Sequence, residues 1–543
     1  MRISRRTRLT GMAFVLAGSL MLSACGGSGG DSDSADNVIT VYGTNPQRPL
    51  LPADTVEVGG GDPLDQLFAG LVVYATDGTM SNEVAESIEP DSANKVWTVK
   101  LKDWKFSDGS PVTAQSFVDA WNFGANPENN QLNASWFAAF EGTDDEGMST
   151  SGDTISGLKV VDDKTFTITL KEGEPDFPLR LGYSAYFPMP ESAYGPDGKV
   201  TEEYGQRPIG NGPYKLTKSG WEQNKRISLE PNPEYDGAHK PANGGIVFQF
   251  YAGNGTDAAY IDVQSGNLDV LDQVPPSQLQ AFEDDSKVQA FNEEGSQFQS
   301  FTIPERLKHF GGEEGRLRRA ALSYAIDRDL ITEKIFYGVR TPAKDFTSPL
   351  MPGWTDKVPG NEVLDHDPAK AKQLWAEADK LSKWTGSFQI AYNSDGAGHK
   401  EWVEAATNQI KDTLGIKASP KTYATFQELR SEVVSRKINS AFRTGWQADY
   451  PSILNYLVPL YTTGAGSNDG DFSSKRFDQL VREAASAEGG ERDKLVNEAQ
   501  AVLFKDLPAI PLWYFNSTAA VNTDVKDFAF NWKGKPDYYK LTK

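Results

Sequence analysis

The chain has 543 residues, 38% of them hydrophobic and 24% charged, with 75 Asp+Glu against 54 Lys+Arg for a formal net charge of −21. The apolar content suffices for real cores, which excludes global disorder, and so acidic a surface repels phosphate backbones, which argues against a nucleic-acid partner. One Cys rules out an internal disulfide, and four scattered His argue against a His/Cys metal cluster, so neither a metal nor a cofactor is expected.

Arg2, Arg5, Arg6 and Arg8 precede an apolar run from Met12 to Leu22. This is the layout of a secretory signal, and the run is too short to span a bilayer permanently. Leu22-Ser23-Ala24-Cys25 resembles the lipobox of bacterial lipoproteins. The resemblance implies cleavage after residue 24, lipidation of Cys25 and anchoring on the outer face of the bacterial cell membrane. Residues 26–37, rich in Gly, Ser and Asp, have no apolar face and predict a flexible tether.

Strand signals dominate the first half of the remaining chain. Lys95–Leu101 and Lys164–Leu170 alternate polar and apolar residues, and Ile227–Leu229 and Ile246–Tyr251 add two more predicted strands. Helical spacing dominates later. Leu317, Ala320, Ala321, Tyr324 and Ala325 share one face, with Arg316, Arg318 and Arg319 expected at its solvated edge. Asp367 is placed to cap a helix starting at Pro368, and a helix carrying Trp402, Ala406, Ile410 and Leu414 should stop at Gly415. Phe477, Leu480, Val481 and Ala484 repeat the spacing. The whole predicts a mixed α/β protein.

Three separated stretches carry a family resemblance. Trp104 to Trp121 contains a tight turn at Ser107-Asp108-Gly109-Ser110 and leads through Pro111–Thr113 into an N-capped helix with Phe117, Val118 and Trp121. Ile209-Gly-Asn-Gly-Pro-Tyr-Lys-Leu216 is followed by Ile227–Tyr235, which ends Asn-Pro-Glu-Tyr. Arg316 to Arg328 ends Tyr-Ala-Ile-Asp-Arg. In this order they resemble the extracytoplasmic solute-binding proteins, family 5, that serve peptide and nickel ABC importers. The resemblance implies a two-lobed periplasmic-binding-protein-like α/β fold of type II, with an extra inserted subdomain and discontinuous lobes joined by a hinge. Lobe one is expected at 38–71, 193–300 and 509–543, the inserted subdomain at 72–192 and lobe two at 301–508.

Phe442-Arg-Thr-Gly-Trp-Gln-Ala-Asp-Tyr-Pro451 resembles the family's G-W-x-A-D-Y segment. By that resemblance Asp449 binds the α-ammonium of a peptide and Arg443 reaches a peptide carboxylate. A strand from Ser440 to Trp446, turning at Tyr450-Pro451, offers backbone groups with which an extended peptide can pair. Gly445 and Gln447 contribute backbone groups, and Trp446 an apolar wall. Glu57 and Val58 lie where the family's first lobe lines the cleft, although Gly59-Gly60-Gly61 departs from the bulkier residues usual there. The expected function is capture of short peptides by a monomeric, lipid-anchored binding protein that delivers them to ABC permease subunits. An oligosaccharide or another solute is the competing ligand. An extracellular hydrolase is the competing class, but no HExxH motif occurs and nothing singles out a glycosidase dyad among the abundant Asp/Glu pairs, so no enzyme is expected.

Overall fold

The computed structural model describes residues 37–251, 255–394, 398–424, 426–487 and 489–543. The signal segment, Cys25 and most of the tether lie outside them. Among the described residues no helix is long and apolar enough to cross a membrane.

An eleven-stranded mixed sheet runs through the molecule. From one edge its order is Ala418–Tyr423, Phe388–Asn393, Ala441–Gln447, Val288–Thr302, Ala509–Asn522, Val270–Leu271, Val38–Gly43, Gly245–Phe250, Arg226–Pro231 and Tyr214–Glu222, with Arg340–Pro342 pairing off this path onto Ala509–Asn522. Two long strands, Val288–Thr302 and Ala509–Asn522, occupy the middle and pair with each other antiparallel. Their register shifts between Glu294 and Phe298: residues 288–294 face 516–522, and residues 298–302 face 509–514. Gly295 sits in this bulge, where an added Cβ would lie 2.3 Å from the Phe515 carbonyl oxygen. The break falls inside the segment 193–300 expected for lobe one, and both strands run through it. Both cross between separate cores, Ala519 and Val521 lying in one and Phe298 and Tyr514 in another, and they are named the hinge strands for that crossing.

Apolar side chains collect on either side of them. Leu64, Leu67, Phe68, Tyr214, Phe248 and Val521 form one core. Phe346, Tyr456, Leu457, Phe477, Leu480 and Leu503 form another. A third runs from Tyr260 and Leu271 past Trp513 to Trp402 and Ile410. The segment 72–192 has a four-stranded antiparallel sheet of its own, Ala85–Pro90, Val96–Leu101, Thr165–Thr169 and Leu158–Asp162. Trp97, Phe117, Trp121, Phe140, Phe166 and Tyr186 pack a separate core there.

Local chemistry explains the element ends. Thr113 and Ser116 form a reciprocal capping box at the start of the helix Ala114–Ala125. Asp367 accepts from the Ala369 and Lys370 N–H groups, and Gly415, at φ 68°, ends the helix His399–Leu414. The first two motif stretches also meet in space. The Trp104 indole donates to the Asn211 carbonyl (3.0 Å) and stands edge-on to Tyr235 at 5.6 Å. The Asn211 amide exchanges two 3.0 Å hydrogen bonds with the backbone of Ala69.

One expectation needs correction. Arg318 and Arg319 are not at a solvated edge; both are buried. Arg318 donates to Glu314 (2.9 Å), Asp379 (3.0 Å) and the Ser382 carbonyl (2.6 Å) and lies over the rings of Trp375 and Trp384. Arg319 donates to the Asp506 and Phe310 carbonyls. Arg316 alone pairs at the surface, with Glu313.

Candidate functional site

The strand Ala441–Gln447 is the scaffold. On one side it pairs with the first hinge strand from Thr302↔Phe442 to Gln297↔Gln447. On the other it pairs with Phe388–Asn393 only at Ala441 and Phe442. From Arg443 onward that edge has no strand partner among the described residues, so a line of backbone N–H and C=O groups is left for an incoming chain. Gly445 and Gln447, the two exposed residues of the strand, lie on this stretch.

Side chains fix the strand from behind. The Thr444 hydroxyl meets those of Ser300 (2.8 Å) and Thr302 (3.1 Å), and the Gln299 amide donates to the Thr444 carbonyl (2.5 Å). Beyond the strand end, Asn455 gathers the turn. Its Oδ1 accepts from the Asp449 N–H (2.9 Å) and from the Trp446 indole (3.2 Å), and its Nδ2 donates to Asp449 Oδ2 at 3.4 Å.

Among the described residues the Asp449 carboxylate makes no ion pair. Burial pushes its pKa above the ordinary carboxylate value, against a partial pull downward from Asn455 and Lys533. It opens onto a solvent-open void of about 1020 Å³ whose wall also includes Phe68, Tyr183, Trp532, Lys533 and Asp65. Burial, then the nearby Asp449 charge, raises the Tyr183 phenol as well. Asp62 lines the same void, and burial pushes it up to about 6 despite Lys535 at 3.2 Å. The acids Asp62, Asp65, Glu83, Asp449 and Asp537 outnumber Lys533 and Lys535 here, so the void is suited to a cationic group.

The other expected residues fall around two adjoining voids. Arg443, Gly445 and Trp446 line one of about 880 Å³ together with Arg430, Tyr461 and Asp469. Arg443 Nε donates to Asn393 Oδ1 (2.7 Å), and its guanidinium lies 4.5 Å over the Phe426 ring. Gln447 and Val58 line the third void, of about 1470 Å³, under the hinge strands. Glu57 lines none of the three. Its carboxylate caps the helix Val58–Leu67, accepting from the N–H groups of Gly60 (3.0 Å) and Gln47 (3.2 Å). Gly59 lets that helix start close to Thr44, where a Cβ would meet the Thr44 carbonyl oxygen at 2.6 Å.

Residues not anticipated from the sequence complete the walls: Asp62, Asp65, Tyr183, Arg340, Trp532, Lys533 and Lys535. The readable signal was the turn Asn531-Trp-Lys-Gly-Lys-Pro536. Gly534 takes φ 78° there, a conformation that suits Gly, and Asn531 accepts from the Lys533 and Lys535 N–H groups. Among the described residues no group of His, Cys, Asp and Glu is arranged to hold a metal ion.

Residues 79–468 match the family of bacterial extracellular solute-binding proteins, family 5 Middle. The chain belongs to this family. It is 25% identical over 550 residues to the oligopeptide-binding protein OppA of Bacillus subtilis (strain 168), covering 95% of each chain. It is 28% identical over 521 residues to the periplasmic OppA of Escherichia coli (strain K12), covering 93% of this chain and 92% of that one. Among solved structures, the murein tripeptide-binding protein MppA in its unliganded open form superimposes with a TM-score of 0.78 at 23% identity, over 93% of this chain and 96% of that one. Haemophilus influenzae OppA in complex with RPPGFSPFR gives 0.67 at 23% identity, over 93% and 98%. The fold is therefore that of the two-lobed periplasmic binding proteins. As a member of this family the chain is an extracellular solute-binding protein.

Proposed function

We propose that this protein captures short peptides between its lobes and delivers them to the permease subunits of an ABC importer. Asp449 takes the peptide's α-ammonium, and the open edge from Arg443 to Gln447 pairs with the peptide backbone. The observation that carries this reading is an unpaired, largely buried carboxylate at the end of a strand whose edge stands open beyond Phe442. Main-chain pairing supplies affinity without regard to side-chain identity, and one fixed anion sets the register through the ligand's obligatory cation. Relatives named as oligopeptide- and dipeptide-binding proteins support the same reading.

Removing one partner of a buried charge pair costs about 3–5 kcal/mol. Asp449→Ala should therefore weaken binding of an N-terminally free peptide by about 10²–10³-fold. Acetylating the peptide's amine should do the same to the wild-type protein. Calorimetry that finds equal affinity in both comparisons rejects the assignment.

We infer further that Cys25 carries a lipid anchor and holds the mature protein at the outer face of the cell membrane as a monomer. The Leu-Ser-Ala-Cys sequence after a short apolar run supports this. Cys25→Ser should move the protein from the membrane fraction to the soluble one; unchanged retention on the membrane would refute the anchor.

A further inference from the structure

Three basic side chains line the void under the hinge strands: Arg340, Lys533 and Lys535. Lys535 lies between Asp62 (3.2 Å) and Asp272 (3.1 Å), and Lys533 faces Asp65 at 3.9 Å. Among the described residues Arg340 has no such partner. Its guanidinium stacks 3.7 Å over the Phe515 ring and 5.2 Å from that of Phe336. Nη1 donates to the Val339 carbonyl at 2.6 Å, Nε is buried without an acceptor, and Nη2 donates to no protein group among the described residues. Burial unopposed by any nearby charge draws its pKa down to about 9.

A buried cation without a counter-ion is costly, and two ring faces offset that cost only in part. An anion arriving from the void would remove the rest. The acids on the same wall, Asp62 and Asp272, are both turned to Lys535 and do not answer Arg340. The void also adjoins the ligand strand, because Gln447 lines it two residues before Asp449. Arg443, the cation expected to meet a carboxylate, lies instead on the 880 Å³ void and is engaged by Asn393.

We propose that the hinge void is an anion subsite in which Arg340 receives a carboxylate of the bound peptide. This deepens the peptide reading and rests on it. The carboxylate is that of an Asp or Glu side chain or of the chain terminus; the recognising chemistry is the same for both. Planar guanidinium N–H groups suit a carboxylate oxygen pair, and the aromatic faces hold the plane in place before the ligand arrives.

The test incubates wild-type protein, Arg340→Met and Arg340→Lys with an equimolar library of di- to pentapeptides. The library holds matched Glu and Gln members, each with a free or an amidated C-terminus, and native mass spectrometry reads what is bound. A charge-assisted hydrogen bond in a buried site predicts that wild type enriches carboxylate-bearing members about 10- to 100-fold over their neutral partners. Arg340→Met should erase that enrichment while keeping neutral members bound and the thermal unfolding unchanged, and Arg340→Lys should keep part of it. Loss of the Glu/Gln contrast identifies a side-chain carboxylate, and loss of the acid/amide contrast the chain terminus. Equal enrichment in wild type and Arg340→Met, or none in wild type, overturns the subsite. So does a lowered unfolding temperature with binding of every member lost, which would make Arg340 a packing residue. Failure of wild type to bind any member would bring down the peptide reading itself.

Discussion

Asn455 holds Asp449 through both its backbone and its carboxylate, and through the same Oδ1 it holds the Trp446 indole. One amide thus sets the direction of the anion and of the apolar wall beside it. Because burial raises the Asp449 pKa in the empty site, the carboxylate protonates at a higher pH than an exposed Asp. On the proposed reading a peptide ammonium would bind the deprotonated form and expel the proton, so the affinity it contributes would be present above the empty-site pKa and lost as the pH falls through it. Calorimetric titrations across the acidic range should show affinity for an N-terminally free peptide declining from a pH above the ordinary carboxylate range. Asp449→Asn should bind weakly at every pH, with no such slope. A wild-type affinity flat down to pH 4 would contradict the anchoring role. Asp449 was legible in the sequence because its neighbours spell a motif. Arg340 was not, and Lys533 and Lys535 were readable only as part of a turn, because each is remote in sequence from residue 449 and no periodicity ties them to it. Only folding brings them to one wall.

At the scale of elements, sequence pattern succeeds where one face is buried and the other wet. Val96–Leu101 and Thr165–Thr169 alternate because their sheet is covered on one side, and the helix His399–Leu414 shows its stripe for the same reason. The hinge strands escape this logic. Val288–Thr302 contains Asn-Glu-Glu-Gly in its middle, and the Glu294–Phe298 bulge resets which side chains face inward, so no single alternation runs its length. The helix Val58–Leu67 escapes it too. Three Gly and Pro63 argue against a helix by propensity, yet the Glu57 cap and burial of Leu64 and Leu67 hold it. Arg318 and Arg319 show the converse error, since charge alone places a side chain in solvent. Arg318 is buried because Glu314, Asp379 and two indoles, the last three contributed by residues 375–384, supply pairing and stacking that its own helix segment does not reveal.

Across the whole molecule the two-lobed plan followed from the motif order, whereas the contacts that tie its parts together did not, since those made by the segment 72–192 reach residues more than 250 positions away. The segment 72–192 touches the turn that carries Asp449. Arg180 lies 5.9 Å from the Tyr450 ring centroid, Trp136 stands edge-on to that ring at 6.4 Å, and an added Cβ on Gly78 would lie 2.9 Å from Pro451. Arg492 completes the tie, donating to Ser452 at 3.0 Å and facing Asp176 at 3.7 Å. On the proposed reading, ligand affinity would be divided between the Asp449 carboxylate and the strap that holds the segment 72–192 against residues 450–452 and Arg492. A partly solvated pair at this separation is worth about 0–1 kcal/mol. Arg492→Met should accordingly change peptide affinity by no more than about five-fold, against about 10²–10³-fold for Asp449→Ala. Small-angle scattering should show the radius of gyration contracting on peptide addition in wild type and in Arg492→Met alike, because the hinge strands are untouched. A loss of affinity on the Asp449→Ala scale in Arg492→Met, with contraction abolished, would shift the grip from the carboxylate to the strap, and the site would then have to be described as assembled by closure rather than carried on one strand.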